Sequence, residues 1–322
     1  MEIVLQFVLL VIGFVLLMKG ADWFVDGASK IADKFGIPHI VIGLTIVAFG
    51  TSAPEAAVSI SAALKGSVDL AISNVLGSNI MNVLLILGLS SIIYPLAVKK
   101  SAIKFDIPFV FAVSVLMLVC GVIDGNVGRI DGLIFWVLLV GYIIYMIRLT
   151  KKSQESDEDF EPADENDKIW KLLLLIIVGG VMIVVGSNVT VDAASNIATK
   201  FKMDDRLIGL TIVAFGTSLP ELVTSCIAAK KKETDIAVGN IVGSNLFNIL
   251  FVLGTSAVIT PIEYKSDFIF DNVVAILVMV VLWLFVFRKQ KLSRAGGVIM
   301  LVLYAAYFAN LLYQALNPAA IQ

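Results

Sequence analysis

This chain writes one 54-residue stretch twice. Residues 43–96 and 209–262 align without a gap at a constant offset of 166, and 29 of the 54 positions are identical. The shared core reads Gly-Leu-Thr-Ile-Val-Ala-Phe-Gly-Thr-Ser-x-Pro-Glu, followed by Asn-x-x-Gly-Ser-Asn-x-x-Asn. Whatever one copy folds into, the other must fold into as well, so the architecture is built from two like halves. Each copy also sets one glutamate, Glu55 or Glu221, inside a run that is otherwise free of charge from 40 to 64 or from 207 to 229.

Such runs decide the solvent. Hydrophobic residues make up 59% and charged residues 16% of the 322 positions, with a mean hydropathy of +0.95. That excludes a pair of soluble domains. Apolar runs of about 20 residues recur along the chain, each long enough to cross a hydrocarbon core of roughly 30 Å. Ten spans are expected, near 3–30, 40–64, 70–97, 105–123, 131–149, 169–199, 207–229, 236–259, 268–287 and 295–314. All are read as helices, because lipid offers the backbone no partners and no ten-residue alternating pattern suggests a barrel. The first run lacks a basic leader and continues past signal-peptide length, so it is read as a retained helix.

Basic residues set the orientation. Loops on the amino-terminal side hold six Lys and Arg, and loops on the opposite side hold seventeen. By the positive-inside rule the second side is cytoplasmic and both termini lie outside, in a plasma or inner membrane. Five helices per half is an odd number, so the second copy enters from the opposite face. The expected fold is therefore an all-α polytopic membrane protein made of two inverted-topology five-helix repeats, whose site lies at mid-depth where they meet. The repeats occupy 1–150 and 169–322. Between them, 151–168 carries eight carboxylates from Glu155 to Asp167 and reads as a solvated cytoplasmic linker, too short for a calcium-binding domain.

The chemistry sits in the repeated motif. A proline inside a helix removes one hydrogen bond and displaces the carbonyl four residues back, so Pro54 frees Gly50 and Pro220 frees Gly216. Each motif then offers backbone carbonyls near Ala48 or Ala214, hydroxyls at Thr51 and Ser52 or Thr217 and Ser218, and a carboxylate at Glu55 or Glu221. The next helix adds Asn74, Ser78, Asn79 and Asn82, or Asn240, Ser244, Asn245 and Asn248, and positions 74, 78 and 82 are spaced by four along one face. Gly77 and Gly243 are expected to permit close helix approach. The pooled set is all oxygen, with no His or Cys. That suits hard cations such as calcium, which takes 6–8 oxygens at about 2.3–2.6 Å, rather than zinc or copper. Two carboxylates match one calcium or two sodium ions. An empty site would resist crossing the low-dielectric centre, so only a loaded carrier switches sides, which is exchange rather than leak.

These motifs resemble the sodium/calcium exchangers of the calcium/cation antiporter superfamily, over essentially the whole chain. The resemblance implies ten helices in two inverted repeats, with long first and sixth helices sliding against an ion-binding core. By motif position, Glu55 and Glu221 are the implied central calcium and sodium ligands. Thr51, Ser52, Ser78, Thr217, Ser218 and Ser244 are implied flanking sodium ligands, with backbone oxygen from Ala48 and Ala214, and Asn82 matches the family's amide. Asn248 departs from the pattern, since several exchangers have aspartate there. The Thr-Ser form of the glutamate motif favours sodium over protons as counter-ion. Calcium and sodium are thus implied as transported substrates and the bilayer as the surrounding partner. No organic cofactor, obligatory protein partner or nucleic acid is expected.

Blander readings stand beside these. The two glutamates could be structural acids held by hydroxyls, and the serine and asparagine stripe a packing surface. Lys19, Asp22 and Asp26 read as locally paired and snorkelling. His39, after Pro38, reads as a solvated loop residue. Asp124 and Asp131 read as turn and cap residues, and Cys120 and Cys226 as unpaired thiols in apolar runs. The nearest rival function is calcium/proton or potassium-coupled exchange on the same scaffold. A membrane acid hydrolase using Glu55 and Glu221 predicts turnover without ion flux, and a channel predicts flux without counter-ion.

Overall fold

The computed structural model describes residues 2–155, 168–200 and 214–316. Among them, eight helices are long and apolar enough to cross a membrane, and a ninth span consists of two helices bent by 51° at a break. In order they are α1 (Glu2–Phe35), the broken pair α2 (His39–Thr51) and α3 (Ala53–Leu64), α4 (Val68–Ile93), α5 (Ala102–Asp124), α6 (Arg129–Glu155) and α7 (Ile169–Lys200). Then come the short α8 (Ala214–Thr217), α9 (Leu219–Lys230), α10 (Thr234–Ile259), α11 (Ser266–Phe287) and α12 (Arg294–Leu316). The span expected at 207–229 is described only from Ala214 onward.

Two boundaries differ from the sequence reading. α1 runs on to Phe35 rather than ending near Lys30, and stops where Gly36 takes a positive φ of 59° ahead of Pro38. α6 continues to Glu155, so the first residues of the polar stretch prolong the helix. Lys151 there suits a helix C-terminus, where cations meet the negative end of the dipole. The rest of the acidic linker lies outside the described residues.

Layering follows the solvent. α4 and α10 have the lower mean hydropathy, 1.8, yet 72% and 94% of their apolar windows are buried. α1 and α7 reach 2.5 and 2.6, and only 17% and 28% of theirs are buried. In water the order would be reversed. Here α1 and α7 meet lipid and the polar motif helices α4 and α10 are shielded in the middle, while α12, also at 1.8, lies outside with 17% of its window buried.

α1 and α7 pack backbone to backbone. Gly13, Gly20 and Gly27 recur every seven residues on α1; Gly13 faces Gly186 and Gly20 faces Gly179 on α7, while Gly27 meets Leu172 and Ile176. A Cβ at Gly20 would lie 2.8 Å from the Gly179 carbonyl oxygen, and one at Gly179 would lie 2.8 Å from that of Gly20. Gly243 on α10 likewise meets Leu44 and Ala48 of α2, as its spacing predicts. Leu210, the position that matches Leu44 at the offset of 166, lies outside the described residues.

Four two-residue strands clasp the halves together. β1 (Leu96–Ala97) pairs antiparallel with β4 (Lys291–Leu292), and β2 (Asn126–Val127) with β3 (Ile262–Glu263). Each clasp joins the first half of the chain to the second. Asp131 accepts the Gly128 N–H at 2.8 Å, and Gly125 ends α5 with φ 66°, so the turn and cap roles read at Asp124 and Asp131 hold. Cys120 and Cys226 are free thiols.

Candidate functional site

Both glutamates sit in the first turn of a helix that begins at a break. Ser52 and Ser218 occupy the breaks with φ/ψ of −82°/8° and −90°/6°, outside the helical well. Pro54 and Pro220 follow at the second helical position, where a missing N–H costs nothing. Each proline thus ends the preceding helix, starts a new one, and points the next side chain, Glu55 or Glu221, at the junction. Glu55 is 1% exposed and Glu221 fully buried.

The two halves grip each other's acids. Ser52 Oγ donates to Glu221 Oε1 at 2.7 Å, and Ser218 Oγ donates to Glu55 Oε1 at 3.0 Å. Ser244 Oγ lies 3.4 Å from Glu221 Oε1, and Ser218 Oγ lies 3.1 Å from Ser78 Oγ. Thr51 Oγ1 donates to Asn240 Oδ1 at 3.0 Å, and Thr217 Oγ1 to Asn74 Oδ1 at 3.3 Å. Those amides are held in turn by Ser225 and Ser59, each at 2.9 Å. The serine–glutamate and threonine–asparagine crossings, and the serines that hold the two amides, recur at the offset of 166, whereas Ser78 and Ser244 take different partners.

A second network lies alongside. Asn82 Nδ2 donates to Asn245 Oδ1 at 3.0 Å, and Asn248 Nδ2 to Asn79 Oδ1 at 3.1 Å. Four of the buried oxygens without a hydrogen-bond partner belong to these acids and inner amides: Glu55 Oε2, Glu221 Oε2, Asn82 Oδ1 and Asn248 Oδ1. Buried polar atoms are normally satisfied, so four orphaned acceptors, two of them on acids, mark a place built for a positive ligand. No group of three or more His, Cys, Asp or Glu that could hold a metal ion occurs among the described residues. Neutral oxygens and two carboxylates remain, a donor set for hard cations.

Some expectations change. The carbonyl of Gly216 is not bare, because Ser187 on α7 donates to it at 2.9 Å. No hydroxyl stands at the matching position in the first half, which is Ala21. The Ala48 carbonyl is not bare either, since it accepts the Ser52 N–H at 3.0 Å and lies 3.3 Å from Thr51 Oγ1. Ala214 opens α8, and only its backbone is described. Asp22 and Asp26 are not paired locally. Both reach across to Lys231 at the end of α9. His39 is not a solvated loop residue either. It begins α2, half-buried, with Nε2 2.8 Å from Asp33 and Nδ1 2.9 Å from Glu233. Asn79 and Asn245, which the sequence offers among the polar residues of this helix, stand off the stripe spaced by four and hydrogen-bond the amides on it.

The family model described as "Sodium/calcium exchanger protein" matches residues 5–148 and again 171–313. The chain belongs to the sodium/calcium exchanger family. The family is one of transporters rather than enzymes. Inner membrane protein YrbG of Escherichia coli strain K12 is 35% identical over 98% of both chains. Sodium/calcium exchanger MaX1 of Methanosarcina acetivorans is 30% identical over 97% of this chain and 99% of its own. The solved sodium-calcium exchanger NCX_Mj, soaked with zero Na+ and Ca2+, superposes with a TM-score of 0.84 at 34% identity. That match covers 96% of this chain and 99% of the other. The multi-helix membrane architecture and cation-antiporter class of this exchanger follow from these matches.

Proposed function

We propose that this exchanger moves calcium against sodium across the membrane by alternating access, with the ions held between Glu55 and Glu221. The reading extends to ten membrane helices in two inverted repeats, 1–150 and 169–322, with both termini outside and 151–168 in the cytoplasm. What carries it is the crossed grip at the helix breaks. Each half supplies the serine that holds the other half's acid, and each acid keeps one buried oxygen without a partner. Asn82 and Asn248 add neutral oxygens, and Thr51, Ser52, Ser78, Thr217, Ser218 and Ser244 flank them.

Two buried carboxylates cannot easily share a dry site uncompensated, since each ion carries a desolvation penalty of several kcal/mol. One calcium or two sodium ions would neutralise them. Movement of the site from one face to the other is then favourable only when it is loaded, and two alternative loads give antiport. The test is calcium uptake by purified protein in liposomes under an outward sodium gradient. Uptake that follows the sodium gradient is expected. Uptake that ignores sodium and follows pH would replace sodium by protons. Calcium flux that needs no counter-ion would make the protein a channel.

A further inference from the structure

We propose that Asn79 and Asn245 are positioning residues that lock the amides of Asn248 and Asn82, so that an oxygen rather than an NH2 group faces the central site. The inference rests on the cation-site reading above and deepens it. An amide has a donor end and an acceptor end of nearly the same shape, so something must choose which end points inward. Here main chain makes that choice. Asn79 Nδ2 donates to the backbone carbonyl of Asn245 at 3.3 Å, and Asn245 Nδ2 donates to that of Asn79 at 3.2 Å. A backbone carbonyl can only accept, so in each case the NH2 end must face it. The Oδ1 of Asn79 is therefore presented to Asn248, and that of Asn245 to Asn82. Those oxygens also only accept, so Asn248 and Asn82 must turn their NH2 ends outward at 3.1 and 3.0 Å. Their own oxygens are then the ends left without a partner, and these are two of the four orphaned acceptors.

The four residues are buried, and the arrangement recurs at the offset of 166. A π-helical turn begins at each inner amide, Asn82–Leu87 and Asn248–Leu253, the wide-turn geometry that often marks functional sites. A flipped amide would present two partial positive hydrogens to a cation. The lock removes that alternative before the ion arrives, so its orientation cost is not met at binding.

A carboxylate needs no such lock, because both of its ends are oxygen. Asn79→Leu should therefore matter when position 248 is Asn and hardly matter when it is Asp. The experiment measures stabilisation of the detergent-purified protein against heat as calcium chloride or sodium chloride is titrated. It compares the natural protein, Asn79→Leu, Asn248→Asp and the double variant. Asn79→Leu alone should raise the apparent calcium Kd on the order of tenfold, the usual effect of losing a group that orients a ligand. In the Asn248→Asp background the same change should stay within about twofold, a non-additivity that a merely structural role would not produce. An equal loss in both backgrounds, or no loss in the single variant, overturns the lock. Asn245→Leu with and without Asn82→Asp must behave alike, and Asn79→Ala replaces any variant that does not purify. A natural protein that neither cation stabilises overturns the cation-site reading itself, and the lock with it.

Discussion

Glu55 and Glu221 each meet a hydroxyl from the other half with one oxygen and nothing with the second. Gln at either position keeps an oxygen for the serine and loses the charge. Glu55→Gln or Glu221→Gln should therefore lower sodium-driven calcium uptake in liposomes by about 100-fold or more, the upper end of the range for disturbing a metal site. The same variants should unfold at temperatures no lower than the natural protein when calcium and sodium are absent, because an uncompensated buried charge has been removed. Wild-type uptake in both would sink the site. The acids, the Thr-Ser pairs and the asparagine stripe were legible in the sequence because they repeat and because charge is scarce around them. Their crossing was not. Ser52 meets Glu221 across 169 positions, and a local pattern carries no trace of which half supplies the partner. His39 was misread for the same reason, since Glu233 approaches it from 194 residues away.

At the scale of the element, the breaks were readable from Pro54 and Pro220, whose effect on a helix is local and fixed. The π-helical turns were not, because no residue type demands them. The α1–α7 contact is a glycine device that hydropathy conceals, as both helices read as ordinary apolar spans. Gly20→Val would push two methyl groups into the Gly179 carbonyl and Met182, and backbone cannot give way as a side chain can. Such overpacking costs about 1–3 kcal/mol, so the detergent-solubilised variant should inactivate at a visibly lower temperature. Gly141 on α6 provides the contrast, with nothing among the described residues within 4 Å of an added Cβ. Gly141→Ala should hold or raise that temperature, by up to about 1 kcal/mol of helix preference. Equal losses in the two variants would show that the stripe is not a close-packed seam.

The molecule as a whole is tied where α1 meets the loop between α9 and α10. Lys231 Nζ reaches the Asp22 carboxylate at 2.7 Å, the Asp22 carbonyl at 2.9 Å and the Asp26 carboxylate, while Glu233 accepts from Ser29 and pairs with His39. Both imidazole nitrogens face carboxylate oxygens, which accept only, so the ring satisfies both as the cation. Burial pushes the Glu233 carboxyl up, but the His39 hydrogen bond and charge, the Ser29 hydroxyl and Lys231 together hold it below its ordinary 4.5. A carboxyl held low in the folded state stabilises it at pH above 4.5 and gives that up as pH falls through the lowered value. Thermal midpoints of the natural protein should therefore drop between about pH 5 and 3, and Glu233→Gln should make that fall shallower. The tie holds the outer pair α1–α7 to the interior helices at one end, so it resists separation there. Removing a part-buried charged donor costs about 1.5–3 kcal/mol, and 1.4 kcal/mol is tenfold in an equilibrium. With Cys120 and Cys226 replaced by serine, a cysteine introduced at the fully buried Ala32 of α1 reports opening through its rate of maleimide labelling. Lys231→Met should raise that rate on the order of tenfold. Saturating calcium, if it favours the closed form, should slow the rate again. An unchanged rate in Lys231→Met would mean that the contact ornaments the surface without holding the two layers together.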